Sequence, residues 1–297
     1  MMERRSWRKP RPGLLSRCFS HTRQASPPIH YLTWLIRSGL AYPFNNEDVT
    51  RWTTEHELPS LFSANAGIEA FTFPLIFEPG TRFNYGVGID WAGFLVARVS
   101  GLDLEEYFQN NIFKPCGVTS TSFFPPDDYE KSMVAMCTRD PPHTGDIKLM
   151  DGPAMGRPFK REEIGPHFMG GGGLFGTARD YLRVLTRVLA SSDPEAKSPL
   201  ISSKSFRSLF VDSLQPSPEI KADLAKMAEG QHIHDPATLT SGTGDHIGHS
   251  PGLFLNFIET KFGRKAMSGF WDGAAKTMFW IDPETGIAVR SAPMPRV

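Results

Sequence analysis

Cysteine is scarce in this chain. Its 297 residues hold three, Cys18, Cys116 and Cys137, widely spaced and odd in number. Such a count excludes a disulfide framework and reads as reduced thiols in a cytoplasmic protein. Long apolar runs are missing too. No stretch approaches the ~20 consecutive apolar residues of a membrane span, and no apolar core follows the basic start as in a secretory signal. Net charge is also absent, since Lys+Arg and Asp+Glu both number 32. Balanced charge gives no broad attraction to nucleic acid or to an anionic membrane, so neither is expected as a partner. There is no internal repeat and no low-complexity tract. No Gly-Lys-Ser/Thr follows Gly170–Gly173, so that glycine run is not read as a phosphate cradle but as a close-packed, flexible loop beside a cleft.

What is present is uneven. Residues 1–24 carry Arg4, Arg5, Arg8, Lys9, Arg11, Arg17 and Arg23 against one acid, Glu3. Residues 1–30 therefore read as a basic disordered tail, with a mitochondrial transit peptide as the alternative. Leu32, Leu35 and Ile36 form a short helical stripe that Gly39 would end. Residues 45–80 read as loops and short helices. In "GIDWAGFLVARVSG" Ile89, Ala92, Leu95, Val96 and Val99 recur at helical spacing, and Gly101 is placed to stop the helix. Gly93 within that run would allow a second helix to approach closely. "LEEYFQNNIF" is a further helix. Residues 120–165 form a long connection of the kind that borders sites. Thr177 is an N-cap, with Asp180 reaching back as a partial capping box, and Leu182, Leu185 and Leu189 make the buried stripe after it. The last fifty residues hold short β-branched and aromatic runs, with a hairpin at Asp282-Pro283 to Thr285-Gly286. Helices first and antiparallel strands last define an α+β fold.

Four segments, in order, carry a family resemblance: "FEPGTRFNYGVGIDWAGFLVARVSG", "IFKPCGV", "GGGGLFGTARDYLRVL" and "GRKAMSGFWDGAAKTMFWIDPETG". Together they resemble the serine beta-lactamase-related proteins: class C beta-lactamases, related esterases, and fungal transesterases that acylate polyketides. "FWDG" followed by "FWIDP" is most similar to the transesterase branch. The resemblance spans roughly residues 32–291. It implies a beta-lactamase/transpeptidase-like architecture, with residues 31–297 as one domain, incomplete at both ends. It also implies acyl transfer from a small-molecule donor, carrier-bound or free, to a hydroxyl or to water, without a cofactor. In that family a Ser-x-x-Lys supplies the nucleophile, a tyrosine helps move its proton, and an edge strand gives an oxyanion N–H. Tyr85 stands where the family tyrosine stands. Trp271 and Gly273 stand where the family has Lys-Thr-Gly or Trp-x-Gly. The N–H of Ala274 is then the implied oxyanion donor.

The departures are as informative. The one Ser-x-x-Lys is Ser6-Trp7-Arg8-Lys9, in a basic segment followed by Pro10 and Pro12. Proline would cost ~3 kcal/mol inside a helix. No apolar stripe is there to bury a lysine and lower its pKa. No nucleophile is therefore assigned. "LIRSGLAYPF" keeps Ser38-Gly39 without the usual His-Thr. These departures leave a second class of function open, a non-catalytic homologue that binds an acyl compound or partner. A weaker alternative is a metal-dependent hydrolase built on His232, His234, His246 and His249, whose spacings suit ligands but whose surroundings read as loop. Trp52, Phe71 and Phe73 read as core aromatics, with an acyl groove as the functional alternative. Cys116 reads as a small apolar filler.

Overall fold

The computed structural model describes residues 37–291, apart from 65, 141–144, 154–157, 165–167, 215–216, 230–244 and 262. Ser6, Lys9, Cys18, the 32–36 stripe, His232 and His234 lie outside the described residues. The helices are α1 (Glu47–Glu55), α2 (Gly88–Ser100), α3 (Leu104–Phe108), α4 (Ala178–Ala190), α5 (Ser203–Ser208) and α6 (Pro218–Glu229). A small hairpin, β1 (Cys137–Asp140) and β2 (Asp146–Leu149), interrupts the long connection. The main sheet follows as β3 (Ile247–His249), β4 (Phe254–Asn256), β5 (Gly269–Asp272), β6 (Met278–Asp282) and β7 (Ile287–Ser291). Its strands are antiparallel and pair in chain order. The α+β order expected from the sequence is the one observed.

Register explains the sheet's two covered faces. Phe254 lies opposite Phe270, and Phe270 opposite Trp280. That row packs with Ile220 and Leu224 of α6 and with Phe83. Leu255, Gly269 and Ile281 form the next row. Leu255 and Ile281 pack with Leu185 of α4 and with Phe206 and Phe210 around α5. Every residue of β4 is buried, as a strand covered on both faces requires. The last hairpin forms where expected. Asp282 accepts from the N–H groups of Glu284 (3.0 Å) and Thr285 (3.1 Å), and Gly286 takes φ +71°.

A separate core gathers around α2, with Ala41, Tyr42, Val49, Phe71, Phe73, Val87, Trp91 and Phe94. Gly101 ends α2 in the left-handed region at φ +73°, as its position predicted. The buried face of α2 is not the expected one. Ile89 and Val99 are exposed, whereas Val87, Asp90, Trp91 and Phe94 point inward at i, i+3, i+4 and i+7. The face was decided by two aromatics and by one acid whose partners lie far away in sequence. Gly93 does permit a close approach, but of Leu104 and of the Gly170 backbone rather than of a long helix.

Two details of α4 also differ from expectation. Thr177 caps it, accepting from Asp180 N–H at 3.2 Å. Asp180, however, does not turn back to the cap. It accepts from Ser120 N–H (2.9 Å) and Ser120 Oγ–H and pairs with Arg183, tying down the chain after Cys116. Leu182 is exposed, and Tyr181, Leu185, Val188 and Leu189 face the sheet instead. Cys116 is buried with Phe113 and Val118, in the filler role read from the sequence.

Candidate active site

Residues 82–88, "RFNYGVG", join the two cores. Phe83 belongs to the sheet cluster and Val87 to the α2 cluster. Tyr85 sits between them. The segment is anchored at its start, where Asp223 of α6 pairs with Arg82 (Nε–Oδ2 2.7 Å) and accepts from Phe83 N–H at 3.1 Å. The Tyr85 carbonyl accepts from the side-chain amides of Asn84 (2.8 Å) and Asn45 (3.3 Å) and from Tyr42 N–H (3.4 Å). Asn84 thus fixes backbone. Gly86 lies flat against residues 40–41, where a Cβ would come 2.0 Å from the Leu40 carbonyl oxygen. Close backbone contact, rather than a special dihedral angle, is why this position is glycine.

Rings enclose Tyr85. Its ring centroid is 5.0 Å from Tyr42, 6.4 Å from Phe44 and 5.6 Å from Trp271 of β5. Trp271 itself stacks on Phe254 at 4.9 Å. The structure therefore brings Tyr85 and Trp271 together, although 186 positions separate them in sequence. Gly273 and Ala274 follow in an exposed turn after β5, closed by Gly273 N–H to Thr277 O (2.9 Å) and Lys276 N–H to Gly273 O (2.8 Å). Among the described residues the Ala274 N–H donates to no other group of the chain.

Two acids shape the electrostatics. Asp90, wholly buried in α2, accepts from Tyr42 O–H at 2.5 Å and from Gly171 N–H at 3.0 Å. Burial raises its pKa, while those hydrogen bonds hold the rise back. Tyr85 is pushed up to about 12, first by burial and then by the negative charges of Asp90 and Asp272. It is a phenol at neutral pH, able to donate a proton or a hydrogen bond. Tyr42 is raised further, by burial and by Asp90. Sequence reading did not reach Tyr42 or Asp90. The available signal was an acid inside an apolar helical run, directly before Trp91 and one turn from Phe94.

The glycine run closes this site from the α2 side. A Cβ on Gly170 would come 2.2 Å from the Ile89 carbonyl oxygen, and one on Gly171 would come 2.6 Å from the Tyr42 hydroxyl. It is a close-packed loop, as expected. The histidine surroundings, read as loop, are different. His249 is buried on β3, and its Nδ1 contacts the Ser250 carbonyl oxygen. Burial lowers its pKa to about 4. Among the described residues no group of three or more His, Cys, Asp or Glu could hold a metal ion. Phe71 and Phe73 are core residues, and Trp52 packs against the same core while stacking on His56. Among the described residues no helix is long and apolar enough to cross a membrane.

A beta-lactamase family model matches residues 37–290. Among curated proteins, the chain is 35% identical to a lovastatin esterase of Penicillium rubens over 156 residues, 52% of this chain and 38% of that protein. It is 26% identical to a monacolin J acid methylbutanoyltransferase of Aspergillus terreus over 253 residues, 84% of this chain and 58% of the relative. The chain thus spans about two-fifths to three-fifths of the length of these relatives. Among solved structures, the simvastatin synthase of Aspergillus terreus superposes with a TM-score of 0.70 at 22% identity, covering 92% of this chain and 64% of that one. At that identity the superposition speaks for the fold.

Proposed function

The chain belongs to the beta-lactamase family, and we propose from that premise that its site handles acyl groups, passing one from an ester or thioester to a hydroxyl or to water. The observation that carries the proposal is the meeting of Tyr85 with Trp271 at the end of β5, directly before the Gly273–Ala274 turn. Tyr85 gives its phenol proton to the departing oxygen or sulfur, and the proton lost by the attacking hydroxyl or water restores the phenol. The N–H of Ala274 donates a hydrogen bond to the acyl oxygen, stabilising the negative charge that builds there as the acyl carbon becomes tetrahedral. Trp271 offers a flat apolar wall, and Gly273 lets the acyl group approach the backbone. Polyketide-like esters are the substrate class, by analogy with the named activities of the relatives. The free thiols of Cys116 and Cys137 fit a reducing, cytoplasmic setting.

A second reading has its own support. Both charged neighbours that shift Tyr85 are acids, which hold its proton rather than loosen it. A homologue that binds acyl compounds without turning them over would keep the same frame. Intact-mass spectrometry after incubation with a fluorophosphonate or an activated acyl thioester separates the two. An acyl-sized mass increase on a serine, or thioester turnover lost in Tyr85→Phe, supports transfer. A folded chain showing neither turnover nor adduct overturns transfer and leaves binding.

A further inference from the structure

Beside the glycine run lies a cavity of about 70 Å³. Seven of its fifteen lining residues are phenylalanine, among them Phe62, Phe71, Phe123, Phe124, Phe168 and Phe175. Ser63 is the one lining residue with a polar side chain. Folded interiors pack about as densely as organic crystals, so rings facing an open space forgo contacts they could otherwise make. The wall is nonetheless held in place. Phe123 and Phe168 are 4.9 Å apart, and Phe124 and Phe168 are 5.7 Å apart. Arg161 covers Phe124 (5.2 Å) and Phe168 (5.6 Å) and pairs with Asp103. Gly173, at φ +92°, leaves room for the Phe123 ring, which would stand 3.2 Å from a Cβ there.

The cavity is connected to the site around Tyr85 in two ways. Gly172 and Gly173 line it, while the neighbouring Gly171 N–H is bonded to Asp90. Phe62 of the wall lies 6.2 Å from Phe44, which lies 6.4 Å from Tyr85. We infer that this cavity seats a short, uncharged hydrocarbon group at the end of the substrate distal to the reacting ester. The inference rests on the acyl-handling reading above and names the part of the substrate which that reading leaves open. An ionic or hydrogen-bonding group would lose its water there and find only Ser63 among the lining polar side chains. The volume sets the size. A cavity of about 150 Å³ admits benzene, so this one suits roughly three to four carbons.

Two homologous series of probes test the assignment: S-acyl N-acetylcysteamine thioesters from acetyl to octanoyl, and straight-chain alcohols from ethanol to octanol. Binding is followed by saturation-transfer NMR on the full chain, with no turnover required. Affinity should rise about fourfold per methylene until the tail reaches about four carbons, then level off. A rise in the thioester series alone assigns the pocket to the acyl donor, and a rise in the alcohols alone to the acceptor. Ala66→Leu, which fills the cavity, should abolish the rise. Phe124→Ala, which opens it, should carry the rise to longer tails. The two variants perturb packing in opposite senses, so a folding failure in one leaves the other decisive. Affinity independent of chain length in both series, or a plateau unmoved by either folded variant, overturns the pocket. A length-dependent rise with no acyl adduct defeats transfer and keeps the pocket. An adduct without length dependence does the reverse.

Discussion

Gly86→Ala is expected to be among the most damaging single-methyl additions near Tyr85. The added Cβ would lie 2.0 Å from the Leu40 carbonyl oxygen, 2.7 Å from its carbon and 2.9 Å from Ala41 Cα. All three are backbone atoms, so no rotamer change can relieve the overlap. Real Cβ atoms essentially never come within 3.0 Å of such neighbours, so one strand of chain must move. Residues 40–42 are held by Tyr42 N–H to the Tyr85 carbonyl and by the Tyr42–Asp90 bond, which resist that movement. Overpacking of this kind costs about 1–3 kcal/mol, and a rigid obstacle argues for the upper end. For a domain of this size ~3 kcal/mol corresponds to a fall of roughly 6–12 °C in Tm. Gly101→Ala is the control. That glycine has φ +73° but nothing within 4 Å of a Cβ, so only the left-handed backbone is penalised, at about 1 kcal/mol. Thermal unfolding followed by circular dichroism ranks the two. If Gly86→Ala melts no lower than Gly101→Ala, the claim that Tyr85 is positioned by backbone contact at Gly86 is wrong.

Two further predictions concern pH. His249, fully buried, titrates at about 4 instead of 6.5. The unfolded chain therefore takes up this proton first, so His249 contributes stability above pH 6.5 that is lost as pH falls toward 4. The loss totals about 3 kcal/mol. Denaturant melts across that window should show the slope, and His249→Gln should flatten it; an unchanged slope would refute the buried neutral state. Tyr85 should release its proton near pH 12, against about 10 for an ordinary tyrosine. Because the folded state holds this proton more tightly, stability is expected to decline as pH rises from 10 to 12. Ring-carbon NMR of labelled tyrosines, assigned with Tyr85→Phe, measures the titration directly, and a midpoint near 10 would contradict the enclosed, acid-flanked setting.

Much of the fold could be read from local pattern. The α2 helix and its Gly101 stop, the Thr177 cap and the Asp282–Gly286 hairpin each depend on residues a few positions apart, so sequence spacing identifies them. The order of helices and strands follows from the same local signals, and with it the α+β class. Family pattern pointed to Tyr85 and Trp271 separately. Their meeting, 5.6 Å apart between the two cores, is a tertiary fact.

Other features depended on partners far along the chain. Asp90 is inside because Tyr42 and Gly171, 48 and 81 positions away, bond both of its oxygens. An apolar count alone must put such an acid outside, and so it turned α2 the wrong way. His249 looked like a loop residue because β3 spans only three residues, and its burial comes from neighbours such as Phe83 and Phe254. The phenylalanine cavity is assembled from chain segments between residues 61 and 175, each unremarkable on its own. The sequence by itself determined several elements, among them α2, α4 and the last hairpin, and the residue types available for acyl chemistry, because those depend on short-range periodicity and side-chain identity. Only tertiary structure decided which face of α2 is buried, what surrounds Tyr85 and where an open apolar space remains, because each of these is set by long-range packing and desolvation.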